Sequence, residues 1–92
     1  MKIVYTDYSE DTLNDREISK KLVEDTIKNP NEIVEGKKER LVAHKLVGKK
    51  LLRVMYEKEA NVYIVVTAYY TYPVRYMKKW KSAMIKKETL LE

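Results

Sequence analysis

Asn61-Val62-Tyr63-Ile64-Val65-Val66-Thr67-Ala68-Tyr69-Tyr70-Thr71-Tyr72 is the one strand-length run of the chain that carries no charged residue. Its β-branched residues (Val62, Ile64, Val65, Val66) and aromatics (Tyr63, Tyr69, Tyr70) suit a pleated, packed surface. Strict alternation sets Val62, Ile64, Val66 and Ala68 on one face and Tyr63, Val65 and Tyr69 on the other, so both faces are apolar. A strand of that kind is covered on both sides and lies inside a sheet. Its apolar half is expected to build the core. Its polar, aromatic end, Thr67 to Tyr76 through Pro73 and Arg75, is expected to build the site.

Working outward, the residues before this run show a period of two. Arg40 to Val47 alternates Val42, His44 and Leu46 with Leu41, Ala43 and Lys45. Gly48-Lys49 supplies a tight hairpin, and Lys50 to Glu57 returns with Leu52, Val54 and Tyr56 opposite Leu51, Arg53 and Met55. Lys58 to Asn61 reads as a polar loop, Glu32 to Glu35 as a short edge strand, and Lys2 to Thr6 as a first strand. Ser9 is the expected N-cap of a short helix, Glu10 to Arg16, with Glu10 and Asp11 at the positive end of its dipole. Ser19 caps a second helix, Lys20 to Asn29, whose Leu22, Val23, Thr26 and Ile27 form one stripe. Asn29-Pro30 stops it, because proline cannot continue the hydrogen-bond ladder.

After Pro73, Val74, Met77, Trp80 and Met84 recur at helical spacing among lysines, which predicts a basic C-terminal helix over Val74 to Lys87. Short connections between consecutive strands imply an antiparallel meander. The expected architecture is α+β: two N-terminal helices and a basic C-terminal helix packed on a three- to five-stranded antiparallel sheet.

Ninety-two residues give one domain with a single modest core, taken as residues 1–90, with Leu91-Glu92 read as a tag remnant. Cysteine is absent, which excludes disulfides and thiolate metal sites. No segment approaches the ~20 apolar residues of a membrane span, and the N-terminus lacks an apolar signal core, so a cytoplasmic protein without membrane contact is expected. The net charge of +5 is uneven. Residues 1–35 hold five Lys/Arg against nine Asp/Glu, net −4, and residues 36–92 hold fourteen against five, net +9. That asymmetry favours a polyanion or an acidic protein as partner; the alternative is a solvated, lysine-rich exterior.

Three pieces carry a family resemblance. Arg16-Glu17-Ile18-Ser19 with Asn29-Pro30-Asn31-Glu32 resembles the opening of a small-domain family of unknown function within the RelE/ParE-like toxin superfamily. Lys49-Lys50-Leu51-Leu52-Arg53-Val54 followed by Val65-Val66-Thr67-Ala68-Tyr69 resembles its core, and Thr71 through Arg75-Tyr76 its close. The resemblance spans about residues 8–76. It departs from the pattern at Tyr8 and Thr12, where many relatives carry a histidine and an arginine, and at Pro73, where lysine is usual.

The resemblance implies a RelE-like fold. It also implies the toxin of a two-gene toxin–antitoxin module, a metal-independent endoribonuclease in which the ribose 2′-hydroxyl attacks the adjacent phosphate. RNA, free or as ribosome-bound mRNA, would be the substrate and an acidic antitoxin the partner; homodimer assembly is compatible with this. Such chemistry needs a cation for the phosphorane and groups that move two protons. Arg53 and Arg75 suit the phosphate, because a guanidinium binds its oxygens bidentately and stays charged. Each would otherwise be a surface cation paired with Glu57 or Glu59. His44, the only histidine, suits proton transfer at neutral pH, although it shares a face with Val42 and Leu46. Tyr69, Tyr70 and Tyr76 suit base stacking or, if perturbed, acid catalysis, and would otherwise be plain core and sheet surface; Lys50, Lys78, Lys79 and Lys81 suit phosphate contacts. The sequence holds no metal-ligand constellation, no glycine-rich phosphate loop and no Ser-His-Asp arrangement, and no cofactor is expected. The second reading, from the missing first-helix histidine and arginine, is a non-catalytic member that binds nucleic acid or a protein such as a gyrase-type target.

Overall fold

The computed structural model describes residues 2–76. Five strands form one sheet: β1 (Lys2–Tyr5), β2 (Glu32–Glu35), β3 (Leu41–Val47), β4 (Lys50–Glu59) and β5 (Val62–Thr71). Two nine-residue helices, α1 (Asp7–Asp15) and α2 (Lys20–Lys28), separate β1 from β2, and a single turn, α3 (Pro73–Tyr76), follows β5. The strand order is β1-β5-β4-β3-β2.

The sheet is mixed. β2 to β5 form the expected antiparallel meander, but β1 runs parallel to β5, pairing Lys2 with Val62 through Tyr5 with Val65. This overturns the wholly antiparallel, RelE-like architecture expected from the sequence. Short polar turns force antiparallel pairing only between the strands they join. β1 is joined to the meander through α1 and α2, so nothing local sets its direction, and it docks along the far edge of β5. The described chain is also more strand than helix, since α1 and α2 are short and α3 is four residues long. The remainder of the expected C-terminal helix, with Lys78, Lys79 and Lys81, lies outside the described residues.

The core explains which residues became which element. Leu13 of α1, Ile18, and Val23 and Ile27 of α2 pack on Ala43, Leu52, Val54, Tyr56, Val65 and Ala68. These sheet residues share one face, so α1 and α2 cover the same side. The opposite face also buries Val42, His44 and Leu51. Removing the roughly 0.8 kcal/mol per buried methylene that such a core supplies would leave short helices with little to hold them.

Three local details differ from expectation. The N-cap of α1 is Thr6, whose Oγ1 accepts from Ser9 N at 3.0 Å, so the helix begins at Asp7 rather than Glu10. Ser9 is instead fully buried and donates its hydroxyl to Thr6 O at 2.9 Å. β4 and β5 run further than expected, leaving only Ala60-Asn61 between them, with Ala60 at φ 52°. Such a positive φ is what a two-residue hairpin asks for, and Gly48, at φ 61°, meets the same demand between β3 and β4. Finally, β5 carries a bulge. Tyr56 pairs with Val65 and Met55 with Thr67, leaving Val66 unpaired. The extra residue shifts the alternation, so Tyr63 and Val65 share the helix-covered face with Ala68 and Tyr70.

Candidate functional site

The register of the meander sets four polar side chains in one row across four strands. Glu32 of β2 stands opposite His44 of β3, His44 opposite Arg53 of β4, and Arg53 opposite Tyr69 of β5. The row lies on the face away from α1 and α2. A turn of two residues at Gly48 fixes the His44–Arg53 pairing, and the bulge at Val66 keeps Tyr69 in phase with Arg53.

Hydrogen bonds run along the row. Glu32 Oε1 lies 2.7 Å from His44 Nδ1, and Arg53 Nε donates to His44 Nε2 at 3.0 Å. Arg53 Nη1 donates to the Tyr69 hydroxyl, and its guanidinium carbon lies 5.4 Å from the Tyr69 ring centroid. His44 is 1% exposed, whereas Glu32, Arg53 and Tyr69 are half-buried. A carboxylate and a guanidinium thus sit on either side of a buried imidazole, which keeps a buried polar group satisfied.

Arg16, just past the end of α1, closes the far end of the row. β1 stops where Tyr5 meets Val65, so among the described residues no strand neighbours the β5 edge beyond it. Arg16 Nη1 donates to Ala68 O on that edge at 2.8 Å, and its guanidinium carbon stands 5.9 Å from the Tyr69 ring centroid. Two guanidinium groups therefore converge on one tyrosine, both within the ~6 Å range of cation–π attraction.

Of the residues singled out from sequence, the fold joins His44, Arg53 and Tyr69 in this row, and Lys78, Lys79 and Lys81 lie outside the described residues. Tyr70 points to the helix-covered side, where Lys50 Nζ lies 5.8 Å from its ring centroid. Those two residues line a shallow cavity of about 110 Å³ with Thr71 and Tyr72, away from the row. Arg75 is exposed in α3, the turn that follows β5. Tyr76 lies in the same turn. Tyr8 is 65% exposed, while Thr12 is buried and offers its carbonyl to Arg16 N at 3.0 Å. Sequence reasoning missed Glu32 and Arg16 as site residues. Glu32 stands in the short edge strand expected over Glu32 to Glu35, but its partner follows only from the β2–β3 register. Arg16 belonged to a recognised motif, yet nothing in the sequence aims it at Tyr69.

A second polar cluster ties α1, α2 and β1 together. The Tyr5 hydroxyl donates to Glu24 Oε2 at 3.0 Å, and Lys20 Nζ meets Glu10 Oε1 at 2.6 Å. Burial, reinforced by Glu24, pushes the Tyr5 hydroxyl far above the ordinary phenol range. On α2, hydrogen bonds from Lys45 and then Asn29 hold the Asp25 carboxyl below its usual range. Among the described residues no group of His, Asp and Glu gathers as a metal site, and no helix is long and apolar enough to cross a membrane.

Residues 5–70 match the profile of a family described as a domain of unknown function, DUF4258. The chain belongs to the DUF4258 family. The DUF4258 match spans more than two thirds of the chain and includes every member of the row together with Arg16. Arg75, Tyr76 and the C-terminal lysines fall outside the DUF4258 segment. No curated protein and no solved structure matches the chain significantly.

Proposed function

We propose that the protein is a metal-independent endoribonuclease, the toxin of a toxin–antitoxin pair, and that it works where Arg16 and Arg53 meet Tyr69. The observation that carries this reading is the convergence of two guanidinium groups on one tyrosine at the end of a hydrogen-bonded row. Two guanidinium groups suit the extra negative charge of a phosphorane. The tyrosine ring suits stacking on an unpaired base, and its hydroxyl carries a proton for the leaving oxygen. In the reaction the ribose 2′-oxygen attacks phosphorus and passes its proton to solvent. The bond from phosphorus to the 5′-oxygen breaks, and that oxygen takes the Tyr69 proton, leaving a 2′,3′-cyclic phosphate and a 5′-hydroxyl. His44, with both ring nitrogens engaged, supports Arg53 rather than touching RNA. The net +9 of residues 36–92 suits both the RNA and an acidic antitoxin.

The test is cleavage of single-stranded RNA by the purified protein in the presence of a metal chelator, with and without ribosomes. Arg53→Ala and Arg16→Ala are expected to slow cleavage, and Tyr69→Phe to slow it by roughly a hundredfold, the lower range for a lost proton donor. RNA that stays intact under both conditions overturns the enzyme reading.

One observation favours a second reading, a non-catalytic RNA-binding protein. The only histidine is buried and committed to Glu32 and Arg53, so it is not placed to move a substrate proton. Salt-sensitive RNA binding without cleavage selects this reading. Growth arrest on expression, relieved by the product of a neighbouring gene, selects the toxin.

A further inference from the structure

The geometry points to Glu32 as a positioning residue for Arg53, acting through the imidazole of His44. A guanidinium Nε–H can only donate, so the 3.0 Å bond from Arg53 Nε requires a lone pair on His44 Nε2. His44 is then the neutral tautomer protonated on Nδ1, and that N–H donates to Glu32 Oε1 at 2.7 Å. The carboxylate accepts but cannot donate, so it selects this tautomer and excludes the alternative. With the proton on Nε2 instead, two N–H groups would face each other and the Arg53 head would be driven off. Glu32 therefore sets the direction of Arg53 from two strands away, without touching it.

Position in the fold supports this. Glu32, His44 and Arg53 are direct cross-strand partners, so backbone pairing rather than side-chain flexibility holds the three in line. His44 is 1% exposed, which denies water the chance to replace either bond. The Asn31 backbone N–H bonds His44 O at 2.8 Å, and the Asn31 side chain accepts from Leu46 N at 2.8 Å, pinning the start of β2 beside β3. Edge strand β2 is thus anchored at the point where its carboxylate is needed. For function, the inference rests on the proposed role of Arg53 as a phosphate-binding group; for structure, it stands alone.

The experiment reads the tautomer directly. Long-range ¹H–¹⁵N correlation spectra of the full chain at neutral pH are expected to show His44 protonated on Nδ1 and bare on Nε2, with a protected Arg53 Nε–H signal. Glu32→Gln is expected to keep both signatures, because its amide oxygen still accepts from Nδ1. Glu32→Ala is expected to mix or invert the tautomers, broaden the Arg53 signal and lower the turnover of RNA by roughly tenfold, while leaving binding of RNA within about threefold. An Nε2-protonated or doubly protonated His44 in the wild type overturns the inference, as does an unchanged tautomer in Glu32→Ala. Should Glu32→Ala fail to fold, Glu32→Gln decides together with the wild type: loss of the Nδ1–H tautomer in the glutamine variant overturns the inference, and its retention supports it. If the wild type does not cut RNA, the ribonuclease reading fails and the spectra still judge the positioning role.

Discussion

Replacing His44 by leucine tests whether the row is a bonded unit or a set of neighbours. The imidazole is 1% exposed, so water cannot take its place. Its loss removes an acceptor from Arg53 Nε and a donor from Glu32 Oε1. Each bond involves a charged partner and is worth about 1.5–3 kcal/mol, a gross loss of roughly 3–6 kcal/mol. Leucine fits the apolar neighbours on that face and returns about 1.5–3 kcal/mol through burial. Glu32, whose side chain is 35% exposed, regains some hydration as well. The expected net loss is about 2 kcal/mol, which corresponds to a drop in Tm of roughly 8–16 °C for a chain of this size. Urea unfolding of His44→Leu, Arg53→Met and the double variant measures it. The double variant is expected to fall short of additivity by at least ~1 kcal/mol, because the second substitution removes a group already stranded by the first. Additive losses, or a His44→Leu variant as stable as the parent, would refute the hydrogen-bonded row.

Other expectations follow from the titrating groups and from the bulge. The Tyr5 hydroxyl is raised in the fold, so its contribution is fully present below the unfolded phenol value of about 10 and is lost as pH rises beyond it. Tyr5→Phe is therefore expected to flatten the alkaline limb of the stability profile, and an unaltered limb counts against the Tyr5–Glu24 bond. Asp25 is lowered, so its contribution is present above the unfolded carboxyl value of about 3.9 and fades as pH falls towards its folded value. Asp25→Asn is expected to reduce acid sensitivity in that window, as followed by circular dichroism between pH 2 and pH 5 or so. Deleting Val66 restores simple alternation in β5 and leaves Tyr63, Val65, Ala68 and Tyr70 on their present face. That variant is expected to unfold cooperatively; loss of a cooperative transition would show that the bulge itself is required.

Much of this fold is legible in the residues. The Ser19 cap, the Asn29-Pro30 stop and the stripe of Val23, Thr26 and Ile27 locate α2 because capping and periodicity agree. β3 and β4 are equally plain, since Gly48 fixes the turn and alternation fixes the faces. The direction of β1 is not legible, because it depends on where two helices return the chain. The bulge in β5 is hidden by its own composition: valines on both phases satisfy either alternation. At the site, His44, Arg53 and Tyr69 could be named one by one as chemically able residues. Their union as a row needs the register of three strand pairs. Arg16 needs one thing more, the early end of β1 that leaves the Ala68 carbonyl for it to cap.

The most direct measurement is mass analysis of the RNA ends left by the purified protein. A single-stranded oligonucleotide is compared with the same strand carrying a 2′-deoxy sugar at the cut position. The expected result is 2′,3′-cyclic phosphate and 5′-hydroxyl ends, abolished by the deoxy sugar and strongly reduced in Arg53→Ala. Uncut RNA, or cutting that survives the deoxy sugar, would contradict the chemistry assigned to Arg16, Arg53 and Tyr69.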